Sequence, residues 1–453
     1  MKIKLKDFLN FIDFDEVLNL DEKKLNNFVI GLSYDTRKIS KGELFLAIRG
    51  EDRHGAEFIL DGINKGGIGV LIDKEGIEIF KRNFGNPFDF NFPIIIVEDI
   101  EKALLEILKS VRNLISARIY AIAGSVGKTT TKEMLYFVFS KKYKVLKTQK
   151  SYNNFIGLPV SLYNYDGEDR VVVEVGTNHP GEIDKLASSL RADIGILTHI
   201  GIEHIEFFGS YEEIEKEELS LFKWVKKGIL PYKYKDRVNL EKITFGERIG
   251  DIKLESFKLL DEGEEFFING VRFFLPLMGK NFAFNALPVV GASLMEGFDI
   301  KEVADILKDF KGVEMRMEKK VLNDIVVIDD SYNSNPDSVK NLLDTFRDIS
   351  DKFSRVILVL GDMLELGRFS EHWHRMVGKW VCDFKPDLFI GVGKFIKYAI
   401  EECRKNGFEG IYYFGSTEEA GHFLKKILRK GDLILLKASR KLKFEKILDT
   451  LGE

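Results

Sequence analysis

The sequence predicts an α/β protein of three domains: a small α/β N-terminal domain over 1–113, a central P-loop mononucleotide-binding domain with a parallel sheet over 114–312, and a C-terminal Rossmann-like domain over 313–453. Three observations carry that prediction. The chain has 453 residues, and compact domains of roughly 150 residues each would number about three. Short apolar runs of strand length alternate with stretches of helical periodicity, the pattern of parallel sheets covered by helices. One predicted strand runs directly into Gly124-Ser125-Val126-Gly127-Lys128-Thr129-Thr130, a glycine-rich turn that opens a predicted helix.

In the N-terminal part, Glu43 to Ile48, Gly69 to Ile72 and Pro93 to Val97 read as buried strands, and Ala56 to Asn64 as a helix ending at Gly66-Gly67. Lys81 to Phe92, with its Gly-Asn-Pro, reads as a loop. Ile100 to Ser116 has apolar residues at spacings of three and four, a helix leading onward. The central domain starts at the strand Arg118 to Ala123, with further strands at Arg170 to Val175 and Ile194 to Thr198. After Gly228, short alternating runs at Lys253 to Leu259, Glu265 to Ile268 and Arg272 to Leu275 predict an antiparallel insertion, and Met278 to Leu307 returns to helix. Beyond Gly312, strands at Ile325 to Asp329, Val356 to Leu360, Leu388 to Val392, Tyr412 to Phe414 and Leu433 to Leu436 alternate with helices, which predicts a doubly wound parallel sheet.

Composition narrows the class. Hydrophobic residues make up 45% and charged residues 31% of the chain, ordinary for packed domains. The 68 basic and 72 acidic residues leave a net charge of −4, so no broad basic field marks a nucleic-acid binder. No run approaches the roughly eighteen apolar residues of a spanning helix, and the early charges of the N-terminus do not fit a secretion signal. Two cysteines, Cys382 and Cys403, exclude a disulfide framework or a cysteine metal cage and read as buried small hydrophobes. The expectation is a cytoplasmic, monomeric enzyme with no nucleic-acid partner and no membrane insertion.

The glycine turn carries the chemistry. Glycines let the backbone curl so that N–H groups face phosphate oxygens, and the following helix adds a favourable dipole. Lys128 would contact the β- and γ-phosphates and Thr129 would hold Mg²⁺. The first glycine stands closer to Lys128 than the usual GxxxxGK[ST] spacing allows. Glu174 ends the apolar run Val171-Val172-Val173 and so lies at the carboxyl end of a buried strand, where ligands bind in open sheets. His204 follows the next strand and joins Glu174 as a candidate metal ligand, whereas His199 reads as structural.

Several blocks together resemble the Mur ligases, ATP-dependent amide-forming enzymes of cell-wall precursor synthesis. Asp35-Thr36-Arg37 with Gly42 to Gly50 resembles the family's UDP-binding domain, and Gly124 to Glu133 its ATP loop. Asn153 to Pro159, Glu174 to Asn178 and Lys437-Ala438-Ser439-Arg440 resemble three further blocks. Asp329 to Pro336 and Gly361 to Gly367 are most similar to the family member that adds D-alanyl-D-alanine. The resemblance implies that ATP phosphorylates the terminal carboxylate of UDP-N-acetylmuramoyl-tripeptide and that the amine of D-alanyl-D-alanine then displaces phosphate. It implies that Lys128 and Arg316 neutralise the transferring phosphoryl group and that Thr129, Glu174 and His204 hold two Mg²⁺. Gly124 to Thr130, Asn285, Asp330 and Asn333 would grip the nucleotide, and Thr36, Arg37, Asn153 and Asn154 the substrate. A ligase of the same build acting on another acid, such as a folate polyglutamate, is the rival reading.

The chain departs from the family pattern at several points. Gly-x-His-Asn-x-x-Asn reads here Gly279-Lys280-Asn281-Phe282-Ala283-Phe284-Asn285, without the His and the first Asn. Asp-Gly-His is replaced around His54-Gly55-Ala56, and Ser151 stands where Asn is usual. The family also uses a lysine that reacts with CO₂, whose carbamate binds the second Mg²⁺. Counting without a gap from His204 to Phe222 puts Glu218 at that position; Lys216 takes it only if the spacing to Phe222 grows by two residues. Either Glu218 supplies a hard oxygen anion directly, or Lys216 is carbamylated. His374 matches a family histidine without an assignable role.

Overall fold

The computed structural model describes residues 1–149, 152–260, 262–347 and 349–452; Ser151 lies outside them. Its described part divides into two compact units, the first made of Met1–Ala121, Tyr143–Thr177 and Glu182–Ile194, the second of Ile122–Lys142, Asn178–Gly181 and Gly195–Glu453.

The first unit holds a five-stranded sheet in the order Glu16–Leu18, Ile94–Val97, Gly69–Asp73, Glu43–Ala47, Gly31–Ser33. The last four strands are parallel, and Glu16–Leu18 pairs antiparallel with Ile94–Val97. Phe45, Val70, Ile72, Phe80 and Ile94 pack into one core, each worth about 1.5–3 kcal/mol of burial. Asp99 caps the helix Ile100–Leu114 by accepting from the Glu101 and Lys102 amides. Val145–Lys147 runs parallel to Arg170–Glu174 in the same unit.

Lys81 to Phe92 is only partly a loop. The helix Lys74–Phe84 crosses its first residues, burying Ile77 and Phe80, and a turn of 3₁₀ helix follows at Pro87–Asp89. The stop is Gly85, at φ 92°, rather than the Asn-Pro pair, because a left-handed residue ends a helix at little cost only when it is glycine.

In the second unit, Lys227–Pro231, Glu241–Glu247 and Ile252–Leu260 are parallel neighbours. The antiparallel insertion therefore begins only at the meander of Ile252–Leu260, Gly263–Ile268 and Val271–Leu275. Two helices, Lys280–Met295 and Ile300–Leu307, follow it. The C-terminal sheet has six strands in the order Glu318–Leu322, Ile325–Asp329, Asp432–Lys437, Arg355–Gly361, Leu388–Val392, Ile411–Phe414. All its pairs are parallel except the first, a hairpin the charged stretch Glu318-Lys319-Lys320 concealed. Alternate residues of one strand feed opposite cores, Leu433 and Leu435 on one face and Ile434 and Leu436 on the other, as the period of two requires. The sheet is thus covered on both faces, the doubly wound form. Cys403 is buried, its thiol donating to the Gly378 carbonyl; Cys382 is only partly buried, packed against the same core. Among the described residues no helix is long and apolar enough to cross a membrane.

Asp362, at the carboxyl end of Arg355–Gly361, accepts the amides of Lys394, Phe395 and Ile396 at 2.8 Å each. Replacing it strands three donors beside buried Ile396 and Ala399. Asp362→Ala is expected to lower unfolding stability by about 2–3 kcal/mol, read as a shift in the urea midpoint.

Candidate functional site

The strand Arg118–Ala123 hands the chain to Gly124 at φ 127°, and Gly127 at φ 93° opens the helix Lys128–Phe139. Both glycines are required by space as well as dihedral angle. A Cβ on Gly124 would stand 2.2 Å from Thr198 Oγ1, and one on Gly127 2.3 Å from Asn285 Oδ1. The turn is clasped from outside. The Ser125 and Val126 amides donate to the His199 carbonyl at 2.7 and 3.2 Å, the Ser125 hydroxyl to the Gly201 carbonyl, and the Thr198 hydroxyl to the Val126 carbonyl. His199 thus serves through its backbone, while burial holds its ring below the ordinary histidine pKa. Thr129, Thr130 and Thr131 continue into the buried start of the helix.

Lys128 Nζ donates to the Gly124 carbonyl and lies 3.5 Å from Glu203 Oε2. Glu218, 3% exposed, accepts the Gly124 amide at 2.6 Å. Burial pushes its carboxyl up to about 7, with Glu203 adding to the rise while Lys128 and the Gly124 amide pull the other way. Its neighbour Glu217 accepts the Gly181 amide at 2.7 Å. Lys216 faces outward on the same helix, 76% exposed and 3.5 Å from Glu213. A shift of two residues turns a helix by about half a circle, so only one of these two candidates reaches the P-loop.

His204 opens a short helix in the left-handed region at φ 51°. Its Nδ1 lies 2.6 Å from Glu365 Oε2, and its Nε2 3.8 Å from Glu203 Oε1. Burial opposes its charged form, but Glu365 and Glu203 outweigh burial and raise its pKa. Glu365, at φ 64°, is held below the usual carboxylate range by that contact.

Arg316 is no solvated surface charge. It stacks 4.3 Å over the Tyr332 ring and reaches Thr129 Oγ1 at 3.3 Å. Met315 and Met317 on either side stand at φ 57° and 52°, strain of about 1–3 kcal/mol each that projects the guanidinium toward the loop. Asp330 accepts the Met317 amide at 3.2 Å. Lys437, fully buried, donates to Asp330 Oδ2 at 2.6 Å and to the Asn333 carbonyl at 3.0 Å. Asn333 Nδ2 in turn donates to Glu203 Oε1 at 3.1 Å. Asp330, Asn333 and Lys437 all lie at carboxyl ends of adjacent parallel strands, the binding edge of such sheets.

Within the second unit the structure therefore gathers Gly124 to Thr130, His204, Glu218, Asn285, Arg316, Asp330 and Asn333. Glu203, Glu365, Tyr332 and Lys437 join them without having been singled out for a role. Glu203 had one visible signal, its place beside His204 just past a strand end.

The remaining candidates belong to the first unit. Glu174, 1% exposed, ends the strand Arg170–Glu174, and its amide donates to Thr148 Oγ1. The Asn153 carbonyl accepts the Gly176 amide, and the Asn153 carboxamide fills the space a Cβ at Gly176 would need. Asn154 Oδ1 accepts the Ile156 and Gly157 amides just ahead of the helix Gly157–Leu162. Thr36 stands by Asp61 and helps hold its carboxyl below the usual carboxylate range, and Arg37 makes a two-pronged pair with Asp35 at 2.8 and 2.9 Å.

The donor set suits Mg²⁺. Glu203 and Glu218 put hard carboxylate oxygens near Lys128, and the Thr129 hydroxyl is on the next residue of the chain; Mg²⁺ takes one or two carboxylates, waters and substrate phosphates rather than an all-protein cage. Among the described residues no three His, Cys, Asp or Glu side chains are grouped to hold an ion unaided.

Residues 122–293 match the Mur ligase middle domain, and residues 315–440 the Mur ligase glutamate ligase domain. A curated relative, the UDP-N-acetylmuramoyl-tripeptide–D-alanyl-D-alanine ligase of Bacillus subtilis, is 31% identical over 436 residues, 93% of each chain. The fold resembles a crystal structure of MurF from Acinetobacter baumannii with a TM-score of 0.85, at 23% identity over 100% of this chain and 99% of that one. It also resembles the MurF ligase of Thermotoga maritima in complex with ADP, with a TM-score of 0.78 at 22% identity, over 93% of this chain and 97% of that one. On the likeness to its curated relative along nearly the whole length, the chain belongs to the Mur ligase family.

Proposed function

We propose that the protein is an ATP-dependent ligase that joins D-alanyl-D-alanine to UDP-N-acetylmuramoyl-tripeptide, giving the UDP-pentapeptide, ADP and phosphate for peptidoglycan synthesis. The observation that carries this reading is the full-length similarity to ligases of that name, joined to a P-loop whose surroundings are built for phosphate. The enzyme acts in the cytoplasm, where ATP is, and as a monomer. The division follows the sequence: 1–113 for the UDP substrate, with Thr36 and Arg37; 114–312 for ATP, with Asn153 and Asn154 meeting substrate; and 313–453 for D-alanyl-D-alanine and nucleotide contacts.

A carboxylate oxygen of the tripeptide attacks the γ-phosphorus of ATP and ADP departs, leaving an acyl phosphate. The free amine of D-alanyl-D-alanine then attacks the acyl carbon, phosphate leaves with the bond electrons, and the nitrogen loses its proton. The residues mainly position and neutralise. Lys128 exchanges the Gly124 carbonyl for phosphate oxygens, and the loop amides and helix N-terminus receive the rest of the chain of phosphates. Arg316, already at Thr129, meets the transferring phosphoryl group. Asn285 stays against Gly127, while Asp330 and Asn333 hold the nucleotide from the C-terminal sheet. Thr129, Glu174, His204 and Glu218 are the residues that would hold Mg²⁺, which when bound would offset charge on the phosphates. Burial beside Gly124 favours Glu218 over Lys216 for the second ion.

Two outcomes follow. With Mg²⁺-ATP, phosphate release is expected to need both UDP-tripeptide and D-alanyl-D-alanine, with the UDP-pentapeptide seen by mass; release without the dipeptide at the full rate would refute the assignment. Glu218→Ala is expected to lower kcat by roughly 10²-fold, Lys216→Ala to leave it within about twofold, and bicarbonate depletion to change nothing. Bicarbonate-dependent activity abolished by Lys216→Ala would restore the carbamate.

A further inference from the structure

We propose that Glu365 is a positioning residue for the ligase reaction, fixing the ring of His204 so that Nε2 faces the Glu203 side of the P-loop. The inference rests on the reading of His204 as a metal ligand and adds the group that makes it one.

The contact is short and specific. Glu365 Oε2 stands 2.6 Å from His204 Nδ1 as an ion-pair contact, and because a carboxylate can only accept, that contact favours a proton on Nδ1. A histidine that gives one ring proton to a carboxylate has its tautomer and orientation fixed and its other nitrogen made a better donor to a cation. Both partners reach each other from the left-handed region, His204 at φ 51° and Glu365 at φ 64°, a backbone conformation that costs about 1–3 kcal/mol for each. The two segments also fit each other. The Glu206 amide donates to the Glu365 carbonyl at 3.3 Å, and a Cβ on Gly367 would lie 2.7 Å from Glu206 Cγ.

The segment that presents Glu365 is immobilised residue by residue. Asp362 accepts the three amides of Lys394, Phe395 and Ile396. The Met363 amide donates to His374 Nε2 at 3.1 Å, and the Leu364 amide to Ser439 Oγ at 2.9 Å. His374 is fully buried with Nδ1 2.7 Å from the Ser370 carbonyl, which leaves Nε2 as the acceptor. Three anchors in a row are followed at once by a strained glutamate with its side chain on His204. His374, without a role in the sequence, gains one here as the second of these anchors.

The test uses the full-length protein with ADP and Mn²⁺, following free Mn²⁺ by electron paramagnetic resonance. Glu365→Ala is expected to weaken Mn²⁺ binding about tenfold, with ADP affinity in the absence of metal and the thermal midpoint unchanged. Glu365→Gln, which keeps an acceptor for Nδ1, is expected to recover most of that loss, and kcat is expected to follow Mn²⁺ affinity while KM for the UDP substrate stays constant. Wild-type Mn²⁺ affinity in Glu365→Ala overturns the proposal. His204→Ala separates the two levels: weakened Mn²⁺ in His204→Ala alone refutes only the positioning role, and wild-type affinity in both variants refutes the ligand reading and the proposal with it.

Discussion

A lysine ammonium withdrawn from water among carboxylates is the constraint around which the second unit is arranged. Lys128 folds back onto the Gly124 carbonyl with Glu203 3.5 Å away, and Glu218 lies buried on the Gly124 amide. Charges so placed are tolerated only when paired and hydrogen-bonded. The surrounding structure supplies those pairings: Asn333 holds Glu203, Lys437 holds the Asn333 carbonyl and Asp330, and Asp330 holds the Met317 amide beside Arg316. Removing one member leaves another with an unmatched charge, which is why elements distant in sequence converge here.

That convergence is a property of the doubly wound sheet. Parallel strands all end at one edge, so Asp329-Asp330, Gly361-Asp362 and Lys437 emerge together although more than a hundred residues separate the first from the last. The edge delivers two arms toward the nucleotide loop, one through Arg316 to Thr129 and one through Asn333 to Glu203. Strained backbone also flanks the loop's contacts. Met315, Met317, His204 and Glu365 all stand in the left-handed region without being glycine, whereas the strands behind them are regular and apolar on both faces.

Much of this was legible in the residues. The P-loop, the strand pattern of the C-terminal sheet and the alternating runs of the meander follow from local periodicity and turn chemistry, although the antiparallel part begins later than the change after Gly228 suggested, and Leu388–Val392 appears with the bounds its apolar run suggests. The helix Lys74–Phe84 was hidden because its stop is Gly85 rather than the more conspicuous proline, and the hairpin strand Glu318–Leu322 because an edge strand half open to water has no apolar alternation. Glu218 could be ranked against Lys216 only by counting from flanking residues, since helical phase decides which side chain turns inward. Glu203, Glu365 and Lys437 gave little warning: an acidic or basic residue reads as solvated surface until folding brings its partner from elsewhere in the chain.

Glu203 and Asn333 join the nucleotide loop and the C-terminal arm into one energetic unit. A double-mutant cycle on Mg²⁺-ADP binding, measured calorimetrically with Glu203→Gln, Asn333→Ala and the double variant, tests this most directly. Losses that fail to add by about 1 kcal/mol or more are predicted for side chains sharing one network. Losses that add to within about 0.3 kcal/mol would mean the arm and the loop meet the nucleotide independently and would contradict a shared network.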